Sequence, residues 1–268
     1  IDIVGVGNVL TDDDLVDGYV TDWTGRFSGR TRAVVRPGTT EELARVVARC
    51  VETGTAIVPQ GGNTGLVGGG VPLDGEVVVS LRRFVELGPV DTVSHQVTAG
   101  AGATIESLQV HARRFGLDYA VDLGSRGSST VGGTIATNAG GTHVLRWGGT
   151  RAQLLGVEAV LGDGSVISHL EGLVKDNTGY DLASLLCGSE GTLGLITAAR
   201  LRLVPALEST VVALVAFDSV PDAVAAVGAW RHRVESLDAA ELFLLAGLEL
   251  VESVQGLRSP FRDRWPVY

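Results

Sequence analysis

Between Thr39 and Gly54 the apolar residues Leu43, Val46, Val47, Cys50 and Val51 recur every three or four positions, which predicts one amphipathic helix. Thr39 and Glu42 have capping-box spacing at its start, and Gly54 stands where a helix ends. The apolar run Ala56 to Gln60 then has strand length and enters a glycine-rich stretch. Residues 76–81 and 95–102 predict two further strands, and 104–116 predicts a second amphipathic helix closed by Gly116. Residues 154–168 form two apolar runs joined across Asp163-Gly164, the pattern of a hairpin. Pro205 closes this block. After it, 209–217, 219–234, 238–245 and 246–257 predict strand, helix, strand and helix, the opening of a second unit.

Two stretches break this periodicity. Residues 58–72 hold six glycines, at 61, 62, 65, 68, 69 and 70, with no Lys or Arg among them. Residues 122–151 hold eight more without a clear period, and a structureless run of that length inside a domain is usually functional. A third glycine loop follows at 188–194. No G-x-G-x-x-G lies between a strand and a helix, and no G-x-x-x-x-G-K-[ST] occurs, so neither a Rossmann fingerprint nor a P-loop is present. An anion held by Gly61, Gly62, Asn63, Thr64 and Gly65 would be bound by backbone amides and the Thr64 hydroxyl. Such bonds contribute roughly 1.5–3 kcal/mol each, so four or five suffice for a pyrophosphate without a cationic side chain. Three loops of bare backbone suit a long nucleotide cofactor better than a small metabolite.

Composition narrows the classes. With 45% hydrophobic residues and 19% charged, the 268-residue chain can bury a large core. The net charge of −10 argues against nucleic acid as a partner. The longest apolar run, 211–217, is far too short to span a bilayer, so no transmembrane segment is expected. The first residues lack a signal-peptide pattern, and Cys50 and Cys187 have neither metal nor redox spacing. Two reduced thiols in a cytoplasmic protein are therefore expected. The chain contains no Met, even at position 1, and reads as a processed, trimmed or partial product.

Five ordered stretches, 59–69, 122–141, 158–167, 175–182 and 188–197, resemble the FAD-binding domain of the vanillyl-alcohol oxidase (PCMH-type) superfamily. Within it they are most similar to the branch that holds glycolate oxidase, D-lactate dehydrogenase and D-2-hydroxyglutarate dehydrogenase. The resemblance covers residues 31 to about 205. It implies an α+β fold: an N-terminal segment (1–30), an FAD-binding domain of two α+β subdomains (31–205), and the beginning of an α+β cap for substrate (206–268). It places the pyrophosphate on Gly61, Gly62, Asn63, Thr64 and Gly65 of the first loop, with Pro59, Gln60 and Leu66 also among the cofactor-binding residues. Asp122, Leu123, Gly124, Ser125, Thr130, Gly132, Gly133, Thr137 and Asn138 match positions along the ribityl chain and isoalloxazine, and Ser128 is counted among the cofactor-binding residues. Gly141 and Gly148 continue that wall, and Gly194 and Ile196 match a backbone contact to the flavin. Glu190 either orients a ligand or caps neighbouring amides. Lys175, Asp176 and Tyr180 belong to a matched stretch and are expected to brace it.

Relatives that attach FAD covalently carry His where this chain has Asn63, and bicovalent ones carry Cys where it has Ser128. The resemblance therefore implies non-covalent FAD. It also implies oxidation of a D-2-hydroxy acid such as D-lactate, glycolate or D-2-hydroxyglutarate, by hydride transfer to flavin N5. The base and a divalent metal site belong to the later part of the cap in that family. They are expected beyond residue 268, and none is assigned to His95, His111, His143, His169 or His232. A superfamily oxidase of another alcohol, such as an aldonolactone, and a flavin-binding polypeptide without chemistry of its own remain alternatives. The electron acceptor, the individual hydroxy acid and homodimerisation stay open.

Overall fold

The computed structural model describes all 268 residues. The chain divides into two compact units, Ile1–His143 with Trp147–Ala206, and Val144–Arg146 with Leu207–Tyr268. In the first unit, β1 (Val9–Leu10), α1 (Asp13–Val20), β2 (Val34–Val35), α2 (Thr40–Glu52), β3 (Ile57–Gln60) and β4 (Val77–Ser80) come in chain order. The four strands form one sheet ordered β1-β2-β4-β3, antiparallel at β1–β2 and parallel elsewhere. All four residues of β4 are buried, as expected of a parallel strand covered on both faces.

Helix α2 forms where its stripe predicts, and Leu43, Val46 and Val47 are its buried residues. Thr39 Oγ1 accepts from the Glu42 amide at 3.1 Å, while Glu42 reaches one residue further back than a capping box requires, to the Gly38 amide at 2.7 Å. Cys50 is half-buried and Val51 is 58% exposed, so the stripe is narrower than its pattern implied.

The second subdomain contains β5 (Gln96–Gly100), α3 (Ile105–Arg113), β6 (Leu117–Asp118), α4 (Val131–Ala136), α6 (Thr150–Gln153), β7 (Leu154–Leu161), β8 (Val166–His169), α7 (Leu182–Leu186), β9 (Gly194–Arg202) and β10 (Val204–Pro205), while most of the short α5 (Val144–Trp147) falls in the second unit. Its antiparallel sheet runs β5-β9-β7-β8, and β10 pairs with β6. The hairpin predicted at 154–168 is β7–β8. A core that includes Val97, Ile105, Leu108, Ile135, Ala159 and Leu201, all fully buried, joins α3 and α4 to this sheet. Glu158 on β7 binds the two subdomains together: its Oε1 accepts from Thr40 of α2 at 2.7 Å and from Thr197 of β9 at 2.9 Å.

In the second unit, α8 (Val220–Arg233) and α9 (Leu245–Gln255) match their predicted ranges. Ser219 caps α8 through the Asp222 amide, and Gly256, at φ 67°, ends α9. The strands expected at 209–217 and 238–245 do not form. Only isolated bridges, Phe217 with Val267 and Leu244 with Val267, mark those stretches. An apolar run becomes a strand only beside a partner strand. None lies along 209–216, where Val211 is 93% and Val212 90% exposed.

No helix is long and apolar enough to cross a membrane. Both cysteines are free thiols, and burial pushes both above the usual thiol range.

Candidate cofactor site

The loop leaving β3 meets the N-terminus of α4 and the start of β9 around a cleft of about 390 Å³. All of its lining belongs to the first unit. The first loop contributes Pro59, Gln60, Gly61, Gly62, Asn63, Thr64, Gly65 and Leu66. The second contributes Leu123, Ser125, Thr130, Gly132, Gly133 and Thr137, and the third Glu190, Gly194 and Ile196. Stretches far apart in the chain thus converge on one surface.

The first loop is held by its neighbours rather than by its own backbone. Gln60, 2% exposed, donates from Nε2 to the Tyr19 and Gly70 carbonyls at 2.9 and 2.8 Å, which fixes both ends of the loop. Asn63, at φ 55°, donates to the Thr21 carbonyl at 2.9 Å. The Thr64 and Ser129 hydroxyls lie 2.9 Å apart, and those of Ser129 and Ser125 2.7 Å, so a row of three hydroxyls joins the first loop to the second. Meanwhile the amides of Gly61, Gly62, Asn63, Thr64 and Gly65 donate to no protein acceptor.

Gly62 is required by a close approach. A Cβ there would stand 2.0 Å from the Ser128 carbonyl oxygen, so the glycine lets the two loops touch. The second loop is anchored in turn: the Val131 and Gly132 amides donate to the Ala103 and Ala101 carbonyls at 2.9 and 2.8 Å. Thr130 caps α4 by accepting from the Gly133 amide at 3.2 Å. The third loop turns at Glu190, φ 51°, whose amide donates to the Ala136 carbonyl at 2.9 Å. Four residues other than glycine have positive φ, and three of them, Asn63, Asn138 and Glu190, lie in these three loops. Backbone strain of this kind clusters at ligand sites.

Six residues named from the resemblance do not line the cleft: Asp122, Gly124, Ser128, Asn138, Gly141 and Gly148. Ser128 supplies the carbonyl beneath Gly62. Asn138 Oδ1 accepts from the Arg151 amide at 3.1 Å, at the start of α6. Gly148, at φ 77°, faces the Ala152 side chain, and a Cβ at Gly124 would enter open space. The Asp122 carbonyl accepts from the Thr142 amide at 2.9 Å.

Burial works to raise the Asp122 carboxyl, but hydrogen bonds from Arg126 and Gln109 outweigh it and leave the group below the ordinary Asp value. A lowered folded-state value adds stability that is complete above the unfolded value, about 3.9, and is lost as pH falls through the folded one. Asp122→Asn should therefore melt below the wild type at pH 7, with the gap closing as pH drops below about 4. A gap that stays constant from pH 7 to 3 would assign the effect to packing.

Sequence reasoning missed several lining residues. Asp22 is 4% exposed, and its carboxylate accepts from the Thr24 hydroxyl at 2.5 Å and the Phe27 amide at 3.0 Å. Val67, Gly68, Gly69, Gly70, Leu81, Ala101, Ser129, Thr134, Ala136, Ala139, Gly191 and Leu195 complete the wall. Val67, Gly68, Gly69, Ser129, Thr134, Ala136, Ala139, Gly191 and Leu195 stood inside matched stretches and could have been read. Asp22 and Ala101 carried no local signal. No histidine lines the cleft, and no group of three or more His, Cys, Asp or Glu side chains is arranged to hold a metal.

A row of unpaired amides on a strained glycine loop, walled by small residues and hydroxyls, defines a protein that binds a phosphate-bearing cofactor, and these residues fit FAD. Residues 31–169 match the model of the family described as FAD binding domain, and the chain belongs to that family. FAD is thus its cofactor. A protein of Schizosaccharomyces pombe named as a putative mitochondrial D-lactate dehydrogenase is 37% identical over 96% of this chain and 49% of its own length. The mitochondrial D-2-hydroxyglutarate dehydrogenase of Bos taurus is 37% identical over 96% and 47%. The D-2-hydroxyglutarate dehydrogenase of Xanthomonas citri is 39% identical over 94% and 53%. The chain thus spans about half the length of these relatives. Among solved structures, alkyldihydroxyacetonephosphate synthase superposes with a TM-score of 0.77 at 19% identity, over 93% of this chain and 46% of that one. The 6-hydroxy-D-nicotine oxidase of Arthrobacter nicotinovorans superposes at 0.65 and 23% identity, over 76% and 43%. Both share the α+β fold. The expected cytoplasmic location is overturned, because the relatives from Schizosaccharomyces pombe and Bos taurus are named mitochondrial, which points away from the cytoplasm.

Proposed function

We propose that this chain is the FAD-holding part of a dehydrogenase that oxidises a D-2-hydroxy acid to the 2-oxo acid. The observation that carries the reading is the unpaired amide row of Gly61 to Gly65 in a cleft built from the matched loops. The choice of substrate class is supported by relatives named for D-lactate and D-2-hydroxyglutarate. Bound FAD supplies the two-electron acceptor. The first-loop amides and the Thr64 hydroxyl would bind its pyrophosphate, while the start of α4, where Gly132 packs closely on Ala101, would face the flat ring. Thr130, Thr137 and Ile196 line that end of the cleft. Residues 31–205, together with Thr21 and Asp22 of the preceding segment, form this cofactor domain, and 206–268 open a substrate cap. The proton acceptor for the substrate hydroxyl, any divalent metal and the electron acceptor lie outside this set of residues.

FAD is held without a covalent bond in this reading, because the Asn63 side chain donates through Nδ2 to the Thr21 carbonyl and no cysteine or histidine lines the cleft. Acid-precipitated protein should therefore release all its flavin to the supernatant. Flavin fluorescence left on the washed polypeptide would contradict this. The substrate class is tested by anaerobic bleaching of the flavin in the full-length protein with paired D- and L-2-hydroxy acids. Reduction by D-acids alone is expected. A flavin that no hydroxy acid reduces, in protein that retains FAD, would sink the dehydrogenase reading.

A further inference from the structure

We propose that Arg82, which lies outside the cleft, fixes the direction of the backbone amides that receive the cofactor's phosphates. Its Nε donates to the Gly61 carbonyl at 2.9 Å, and its Nη2 reaches the Gly62 carbonyl at 3.4 Å. Every peptide bond in the chain is trans. In a trans peptide the C=O of one residue and the N–H of the next point to opposite sides of the backbone. Arg82 draws both carbonyls to its own side and so turns the Gly62 and Asn63 amides to the other. Gly62 and Asn63 line the cleft and Arg82 does not, so that other side is the cleft.

The loop needs such a device. Two successive glycines have no Cβ to bias their peptide planes, and neither amide is tied to a protein acceptor. A flipped plane would present a carbonyl oxygen to the phosphate in place of an N–H donor. The planar fork of an arginine can hold two neighbouring carbonyls at once, which a lysine cannot do in the same geometry. The guanidinium is itself positioned, 5.4 Å above the centre of the Tyr19 ring, while the Leu81 amide donates to the Gln60 carbonyl at 2.9 Å and fixes the backbone beside it. Arg82 is thus a positioning residue for the cofactor, acting through the peptide planes rather than by contact.

The inference rests on the reading that the first loop receives the FAD pyrophosphate. It is tested on the full-length protein, stripped of flavin and titrated with FAD by fluorescence quenching, with the phosphorus-31 spectrum of bound FAD as a second readout. Arg82→Ala should raise the Kd for FAD at least tenfold and move the pyrophosphate resonances toward those of free FAD. The melting temperature of the apoprotein should change little, because the side chain is exposed. Arg82→Gln, which keeps a donor for the Gly61 carbonyl, should recover most of the loss. Tyr19→Leu should shift the Kd the same way by a smaller factor. A Kd within twofold of wild type for Arg82→Ala overturns the proposal. So does full recovery by Arg82→Lys with none by Arg82→Gln, since charge alone would then explain the effect. Wild-type bound FAD with unperturbed phosphorus resonances would instead remove the phosphate-site reading itself.

Discussion

Gly62→Ala is expected to give a folded protein that no longer keeps FAD. The added methyl would sit 2.0 Å from the Ser128 carbonyl oxygen, and that atom is backbone on a loop pinned to Ala101 and Ala103. The second loop cannot retreat without breaking those bonds, so the first loop must move. Its amides then leave their positions around the cleft. Each amide–phosphate bond is worth roughly 1.5–3 kcal/mol, so losing one or two raises the Kd for FAD by about a hundredfold. The core of the first unit lies elsewhere, on the faces of its two four-stranded sheets, and should survive. Gly124→Ala is the control. Gly124 belongs to a matched stretch too, but nothing lies within 4 Å of its absent Cβ and it is outside the cleft. Absorbance at the flavin band after gel filtration, alongside apoprotein melting curves, separates the two. Full flavin retention by Gly62→Ala would mean that the contact between the loops is not what shapes the site.

That contrast marks how far the residues could be read without coordinates. The Leu43, Val46, Val47 stripe located α2 because a helix repeats its buried face within one turn. The apolar pairs around Asp163-Gly164 located β7–β8 because a hairpin is a local structure. The glycines of the first loop signalled bare backbone, and the structure adds why: Gly62 passes Ser128, and Gly68, at φ 74°, lies under the Phe27 ring. What stayed illegible depended on distant segments. Arg82 lies 21 and 20 residues from the two carbonyls it holds, and Asp22 and Thr21 reach the site from a segment before the matched region. The runs at 209–217 and 238–245 have strand composition, yet pairing depends on a neighbour that composition does not reveal. Asn138 and Gly141 were visible as part of a motif, but the motif does not say which of its members face the cofactor and which shape the turn behind it.

Gly141→Ala should separate those two roles. Gly141 adopts φ 84°, and a Cβ there would stand 2.4 Å from the Asp122 carbonyl oxygen. That carbonyl accepts from the Thr142 amide at 2.9 Å, so the two segments are clasped through backbone at this point. A side chain would strain the left-handed conformation and push the clasp open together, a cost of roughly 1–3 kcal/mol. The cleft wall, however, is made by Thr130, Gly132, Gly133 and Thr137, which are anchored separately through α4 and the Ala101 and Ala103 carbonyls. The expected result is an apoprotein that unfolds at clearly lower denaturant concentration with an unchanged slope. Measured well below its melting temperature, its Kd for FAD should stay within a few-fold of wild type. Flavin titration and urea unfolding on the same preparation decide the matter. A loss of affinity comparable to that of Gly62→Ala, without a loss of stability, would put Gly141 at the cofactor after all, and the wall of the site would then extend past α4 toward Thr142.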